Sequence, residues 1–267
     1  MKNYQFDEHI IPNSFKLCQA KGGKMIQYQR KQEILKLLHE EHSLKIADIA
    51  KRIFASESSV RRDLEELEKE GYIHRVYGGA VLAEEKNDIL PLKLRDSQNS
   101  SKKSLIAKKA SDLVFDGAVI IMDSSSTVRR MCKYITRFKN LKIVTNSVNL
   151  LAELDENTHT VYCTGGKLNK NNNVFVGSAA VDFLSKVNAD ILFFSSQSLS
   201  VDGDITDSSE EETAIRKVML KQAKKKVLLC DSTKIGDKKM FSLCHTDDID
   251  VIICDTELPF EKNKSNG

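Results

Sequence analysis

The sequence has no C-x-x-C pair and no cysteine–histidine spacing of the kind that holds zinc, so a small metal-stapled fold is excluded. Its six cysteines are scattered at positions 18, 132, 163, 230, 244 and 254. Cys163, Cys230 and Cys254 end apolar, strand-like runs, where a free thiol serves as a small buried hydrophobe. Reduced thiols in a reducing compartment are expected. No run approaches the ~18 apolar residues of a membrane span, and the first residues lack a charged-then-apolar signal pattern. A cytoplasmic protein with no membrane partner is expected. Internal repeats and low-complexity tracts are also missing. Nor is there a charge excess of either sign: 41 Lys and Arg face 38 Asp and Glu, and a net +3 is too small by itself to point to nucleic acid. The chain is 40% hydrophobic and 30% charged, the balance of a globular protein, and its 267 residues leave room for two domains.

Between Ser56 and Leu82 the pattern becomes specific. Val60, Leu64 and Leu67 recur at i, i+4 and i+7, which makes one apolar ridge of a helix starting near Ser56. The Ser56 hydroxyl can cap the first turn and Gly71 can end the helix. With the ridge buried, Ser58, Ser59, Arg61 and Arg62 are left to the first two turns, side chains that bond phosphates and the acceptor edge of guanine. Tyr72–Val76 and Ala80–Leu82 then read as two strands about Gly78-Gly79. Upstream, Ile46, Ile49, Ala50 and Ile53 mark a helix joined to Ser56 by Phe54-Ala55, and Ile34, Leu35, Leu37 and Leu38 mark a first helix over about 29–39. Three helices, a tight turn and a hairpin make a winged helix-turn-helix.

The runs R-K-Q-E-I-L at 30–35, S-x-x-S-V-R-R-D-L-E-E-L-E from Ser56 and H-R-V-Y-G-G-A from His74 resemble the DNA-binding domain of the DeoR family of bacterial transcriptional regulators. The resemblance implies that operator DNA is met by Lys45, Ser56, Ser58, Ser59, Arg61, Arg62, His74 and Arg75. Residues 25–82 hold ten basic and ten acidic side chains, so only placement can favour a duplex. Lys45, Lys51, Arg52, Arg61, Arg62 and Arg75 must share a face away from Glu65, Glu66, Glu68 and Glu70.

Residues 1–24 lie outside this pattern. Lys21-Gly22-Gly23-Lys24 is what a purine-rich ribosome-binding site would encode if translated, so one expectation is that translation starts at Met25. A disordered extension is the other, and the mass of the native protein separates them. Residues 83–99, with mixed charge and Pro91, read as a linker in which Leu90, Leu92 and Leu94 alternate as a short edge strand.

From Ser101 helices alternate with apolar strands: helices over 104–115, 128–138, 147–154, 179–187 and 210–224, and strands ending at Asp123, Asn146, Cys163, Ser195, Asp231 and Asp255. This is the signature of an α/β domain, residues 100–258, with a mainly parallel sheet covered on both faces, followed by a frayed tail at 259–267. Ligands of such sheets bind beyond the carboxyl ends of the strands. Those ends carry Asp123-Ser124-Ser125-Ser126-Thr127, Thr145-Asn146-Ser147, Thr164-Gly165-Gly166, Ser195–Ser198 and Asp231–Lys234. Three serines opening a helix fit a phosphate; Lys217 and Lys234 can add charge, and Asp123 or Asn146 can grip hydroxyls. Strand ends need caps and turns in any case, and Ser, Thr, Asn and Asp supply both.

The segments D-S-S-S-T, V-T-N-S, Gly165-Gly166, Gly177, E-E-E-T-A-I-R-K and D-S-T-K resemble the DeoR-type effector domain, so the likeness runs from about Met25 to Thr256. It implies a domain related to phosphosugar isomerases that senses a phosphorylated sugar, with no resident cofactor, in a homo-oligomeric regulator that is most often a repressor. Asp123, Ser126, Thr127, Asn146, Gly165, Lys217 and Lys234 carry over as ligand-site residues. Ser125, Ser195 and Ser198 depart from the family, which often has glycine there; a Cβ narrows the pocket and disfavours positive φ. Two alternatives stay open: a DNA-binding protein that has lost its ligand, and a phosphosugar isomerase or deaminase. Against the enzyme, the second domain has only His159 and His245, neither in the strand-end loops.

Overall fold

A computed structural model of the chain describes residues 27–69, 72–83, 99–155 and 158–258. The expectations for residues 1–24, Gly71, the Leu90–Leu94 strand and the tail lie outside the described residues. The chain divides into two compact units, residues 1–89 and 90–267.

In the first unit, α1 (Gln27–Glu41), α2 (Ile46–Arg52) and α3 (Glu57–Lys69) pack with a three-stranded antiparallel sheet. Its strands are β1 (Ser43–Lys45), β2 (Ile73–Val76) and β3 (Gly79–Leu82), in the order β1-β3-β2. Ile34, Leu38, Ile49, Val60, Leu64 and Ile73 have no exposed surface, so all three helices and the hairpin share one core. The hairpin turn is Tyr77-Gly78 rather than Gly78-Gly79. Gly78 supplies the positive φ of the turn, +76°, while Gly79 already belongs to β3 and pairs with Lys45. A Cβ on Gly79 would lie 2.5 Å from the Leu44 carbonyl oxygen, so the two glycines meet different demands. Strand β1, only three residues long, has no periodic signature in the sequence.

The second unit is built on six parallel strands: β4 (Val119–Met122), β5 (Lys142–Thr145), β6 (Thr160–Cys163), β9 (Ala189–Phe194), β12 (Ala223–Cys230) and β14 (Val251–Cys254). Their spatial order, β14-β12-β9-β4-β5-β6, reverses direction between β4 and β9, which places the topological switch point at the ends of those two strands. Two apolar clusters cover the two faces, one around Phe194, Met219 and Leu228, the other around Ile106, Met131 and Phe193.

Helices α4 (Ser100–Ser111), α7 (Val148–Leu151), α8 (Ser178–Leu184) and α9 (Glu210–Gln222) lie near their expected positions. The single helix expected over 128–138 is instead two short pieces, α5 (Ser126–Arg129) and α6 (Cys132–Ile135). The amide of Met131 bonds the carbonyl of Val128, and that of Tyr134 bonds Met131, both i to i−3 at 2.8 Å. These tighter 3₁₀-type bonds interrupt the α-helix. Two antiparallel additions were not anticipated: the hairpin β7 (Lys167–Asn169) with β8 (Val174–Val176), and a small sheet of β10 (Ser198–Leu199), β11 (Asp204–Asp207) and β13 (Phe241–His245).

Candidate functional site

In the first unit, burial of Val60, Leu64 and Leu67 leaves the other side of α3 to solvent, and Ser56, Ser58, Arg61 and Arg62 are exposed. The Ser56 hydroxyl accepts the Ser59 amide at 3.2 Å, the cap expected there. Its oxygen also lies 3.0 and 2.9 Å from the hydroxyls of Ser58 and Ser59, so three hydroxyls cluster at the helix start.

The expected basic face is partly neutralised. Arg61 pairs with Glu57 at 3.1 Å, Arg52 pairs with Glu41, and Arg75 donates its amide to Glu68 at 2.8 Å with its guanidinium 4.0 Å away. The hydrogen bond with Arg52 holds Glu41 below the usual carboxylate range. Exposed pairs of this kind contribute little to stability. Arg62, Lys45 and Lys51 are exposed. His74 and the wing-tip Tyr77 are also exposed, and Phe54 stands out from the turn before α3 at 71% exposure.

Asp63 is the charged residue of R-R-D-L that does not face outward. It is fully buried and accepts two bonds from Arg30 of α1, from Nε at 2.6 Å and Nη2 at 3.1 Å. This fork fixes α3 against α1, so the motif combines an outward arginine pair with an inward pin.

In the second unit, the five polar loops lie side by side along the carboxyl edge of the sheet. At the switch point, the Asp123 amide bonds the Phe193 carbonyl and the Ser195 amide bonds Asp123 Oδ2, both at 3.1 Å. Asp123 Oδ1 accepts the Ser125 amide at 2.9 Å, and Oδ2 also accepts Nε of Arg216 at 3.0 Å. With both oxygens so engaged, Asp123 braces the loops at the switch point.

Arg216 is buried in α9 and also donates to Asp207 at 3.0 Å and Glu212 at 3.2 Å. Burial opposes its charge, but the three carboxylates outweigh burial and hold the guanidinium protonated. Asp207 is pushed up, chiefly by burial, with Arg216 opposing. Lys217, the cation expected here, is exposed; the helix turns Arg216 inward instead.

The three-serine loop divides its labour. Ser124 is buried, and the Ser125 hydroxyl caps α5 by accepting the Val128 amide at 3.2 Å. The Ser126 hydroxyl accepts Nζ of Lys103 at 3.2 Å, with both residues buried. Lys103 escaped the sequence reading. Thr127 Oγ1 and Asn146 Oδ1 are buried without a hydrogen-bond partner, while Asn146 Nδ2 is satisfied by the Phe175 carbonyl at 3.1 Å.

Gly165 and Gly166 have φ of +63° and +109°; a Cβ on Gly166 would lie 2.7 Å from the Val176 carbonyl oxygen. Lys234 reaches across from the loop after β12 to the Ser195 hydroxyl at 2.7 Å and the Ser196 carbonyl at 2.6 Å. Ser198 bonds the carbonyl of Asp237 at 2.6 Å. Neither Ser195 nor Ser198 has a positive φ, and Ser125 sits at −69°, so serine is unstrained at all three positions. His159 is buried at the start of β6, away from these loops, and His245 is at the end of β13. Among the described residues there is no metal-ligating cluster and no helix long and apolar enough to cross a membrane.

A three-helix winged unit with an exposed arginine pair on its third helix, followed by a doubly wound domain with polar switch-point loops, defines a two-domain DNA-binding regulator. The comparisons identify which kind. Residues 30–86 match the DeoR-like helix-turn-helix domain and residues 98–256 the DeoR C terminal sensor domain. The chain belongs to the DeoR family and is a transcriptional regulator, not an enzyme. It is 29% identical over 235 residues to the HTH-type transcriptional regulator GolR of Listeria innocua, covering 88% of this chain and 92% of that protein. To the lactose phosphotransferase system repressor of Staphylococcus epidermidis it is 31% identical over 248 residues, covering 90% and 96%. To the transcriptional repressor GlcR of Bacillus subtilis it is 31% identical over 232 residues, covering 86% and 89%. Among solved structures, ribose 5-phosphate isomerase A from Methanocaldococcus jannaschii aligns at a TM-score of 0.38 and 17% identity, over 52% of this chain and 55% of that one.

Proposed function

We propose that the protein is a repressor of carbohydrate-metabolism genes that binds operator DNA as a homo-oligomer and is controlled by a phosphorylated sugar at the switch-point loops. The observation that carries the ligand site is the pair of unpartnered acceptors, Thr127 Oγ1 at the start of α5 and Asn146 Oδ1 in the loop after β5, buried beyond the ends of the adjacent strands β4 and β5. Leaving a buried polar group unsatisfied costs about 1–3 kcal/mol, and a hydroxyl-rich ligand repays it. Lys103 at Ser126 and Lys234 at Ser195 supply positive charge for a phosphate. The names of two relatives, a lactose phosphotransferase system repressor and the repressor GlcR, favour repression and sugar control.

A thermal-shift panel of sugar phosphates tests the ligand. At ~100-fold its dissociation constant, a ligand adds ~2.7 kcal/mol of stability. At roughly 2–4 °C per kcal/mol for a domain of this size, the transition rises by about 5–11 °C. Asn146→Ala and Lys103→Met should lose that rise. A panel that moves nothing favours the reading in which the ligand has been lost.

For the DNA, α3 lies in the major groove with the wing beside it. Selecting bound duplexes from a random pool should yield a defined sequence. Arg62→Ala should cost about 1–3 kcal/mol on that sequence and relax the preference at one base pair, with folding unchanged. Undiminished binding by the variant removes Arg62 from the contacts.

A further inference from the structure

Cys230 and Cys254 are the last residues of the neighbouring parallel strands β12 and β14, and they are register partners. Partners across a parallel pair leave the sheet on the same face, with backbones about 4.8 Å apart. That spacing falls inside the ~4.4–6.8 Å between Cα atoms that a disulfide spans. The Cys230 thiol donates to the Asp231 carbonyl at 3.5 Å, and the Cys254 sulfur lies 3.7 Å from Asp255 Oδ1 and 3.8 Å from Thr256 Oγ1. Cys230 is fully buried, whereas Cys254 is half-buried on an edge strand, so a small solute reaches one sulfur and not the other.

We propose that Cys254 is a peroxide-reactive thiol and that Cys230 resolves it into a reversible disulfide joining β12 to β14. The neighbouring Cys230 thiol draws Cys254 down to about 6; the amide and hydroxyl of Thr256 help, while partial burial and the charge of Asp255 oppose. A lowered, partly exposed thiol gives up its proton more readily than a buried one, and the thiolate is the form that reacts. Cys230 is pushed up, first by its Cys254 neighbour and then by burial, and keeps its proton. Cys132 and Cys244 are pushed up to about 12, both chiefly by burial, and are poor nucleophiles.

The chemistry balances with one hydrogen peroxide. The Cys254 thiolate attacks a peroxide oxygen, the O–O bond breaks, and the departing hydroxide takes a proton from solvent as water, which leaves a sulfenic acid. The Cys230 sulfur then displaces the hydroxyl from the Cys254 sulfur, and the Cys230 proton leaves with it as a second water. Two thiols have given two electrons to the peroxide, and a thiol reductant reverses the bond.

The position has a consequence for the sensor loops. Asp255, the next residue, accepts the Ser232 amide at 2.6 Å, the Ser232 hydroxyl at 3.0 Å and Lys102 at 3.0 Å. The loop that carries Lys234 is thus anchored one residue from Cys254 and two from Cys230.

The test is to treat the full chain with hydrogen peroxide at about one equivalent per chain and map its peptides without reduction. The expected result is a Cys230–Cys254 cross-linked peptide, with an intact mass lower by two hydrogens, both reversed by dithiothreitol. In Cys230→Ser, dimedone should label Cys254, and in Cys254→Ser both the cross-link and the label should vanish while circular dichroism stays unchanged. Alkylation of Cys254 at neutral pH should outpace that of Cys132 and Cys244 by roughly tenfold or more. Cys254 left untouched by peroxide, or oxidised to a stable sulfenic acid in the unsubstituted chain with no cross-link to Cys230, overturns the proposal.

Discussion

The pin between Arg30 and Asp63 gives the sharpest energetic test of how the reading helix is held. Asp63 has no exposed surface, and the Arg30 fork meets it at 2.6 and 3.1 Å, so Arg30→Leu leaves a buried carboxylate with its principal partner gone. Two unit charges about 4 Å apart at an effective dielectric near 20 interact by about 4 kcal/mol. Measured losses on breaking such pairs run at about 3–5 kcal/mol. A unit of roughly sixty residues holds only about 3–9 kcal/mol in total, so the loss is a large part of its stability. Hydrogen exchange on the full chain reads this locally. The amides of 60–69 in α3 should lose protection on the order of a hundredfold or more, while those of β9 and β12 keep theirs. Replacing both partners, Arg30→Leu with Asp63→Leu, removes the stranded charge and should restore most of the protection. If Arg30→Leu leaves exchange in α3 within about threefold of the parent, or the double variant is no better than the single one, the pin is not what positions the helix.

Three other outcomes follow from single features. Gly166→Ala, with φ at +109° and a contact 2.7 Å from the Val176 carbonyl, should lower the denaturation midpoint of the second unit by more than Gly165→Ala, where φ is +63° and no atom lies within 4 Å. Tyr77→Ala, at the fully exposed wing tip, should leave stability within about 0.5 kcal/mol while weakening duplex binding in a fluorescence anisotropy titration. His245 is raised above its ordinary value, first by donating to the Asp202 carbonyl at 2.9 Å and then, against a small burial cost, by the Asp247 carboxylate at 3.1 Å. A raised histidine stabilises fully below its unfolded value near ~6.5 and loses that contribution as pH climbs through the folded value. The melting difference between the parent and His245→Ala should therefore be larger near pH 5.5 than near pH 8.5, and an unchanged or reversed difference refutes the assignment.

The parts legible in the sequence were those with a period or a cap. The ridge of Val60, Leu64 and Leu67, the Ser56 cap and the apolar runs ending at Asp123 and Ser195 each report a local rule that the fold obeys. The strands β1 and β10, three and two residues long, are too short to show alternation, and they form only because partners elsewhere in the chain pair with them. The two cations of greatest interest were hidden for another reason. Lys103 sits on the same helical stripe as Ile106, Ala107 and Ala110, and Arg216 shares one with Ile215 and Met219. A charge on an apolar stripe was the available signal in both cases, and the Glu212–Arg216 spacing of four strengthened it; Lys217, chosen as a cation for a phosphate and by family likeness, is the exposed neighbour of the buried position.

Arg216 turns separate stretches of chain into one mechanical part. Its guanidinium holds the end of β4 through Asp123, the end of β11 through Asp207 and its own helix through Glu212, and Glu212 reaches the β7–β8 turn through Asn172. Substitutions among these five positions will not add, because each removes the reason for the others. Such a knot changes as a set or not at all, and evolution and the engineer meet the same rule there.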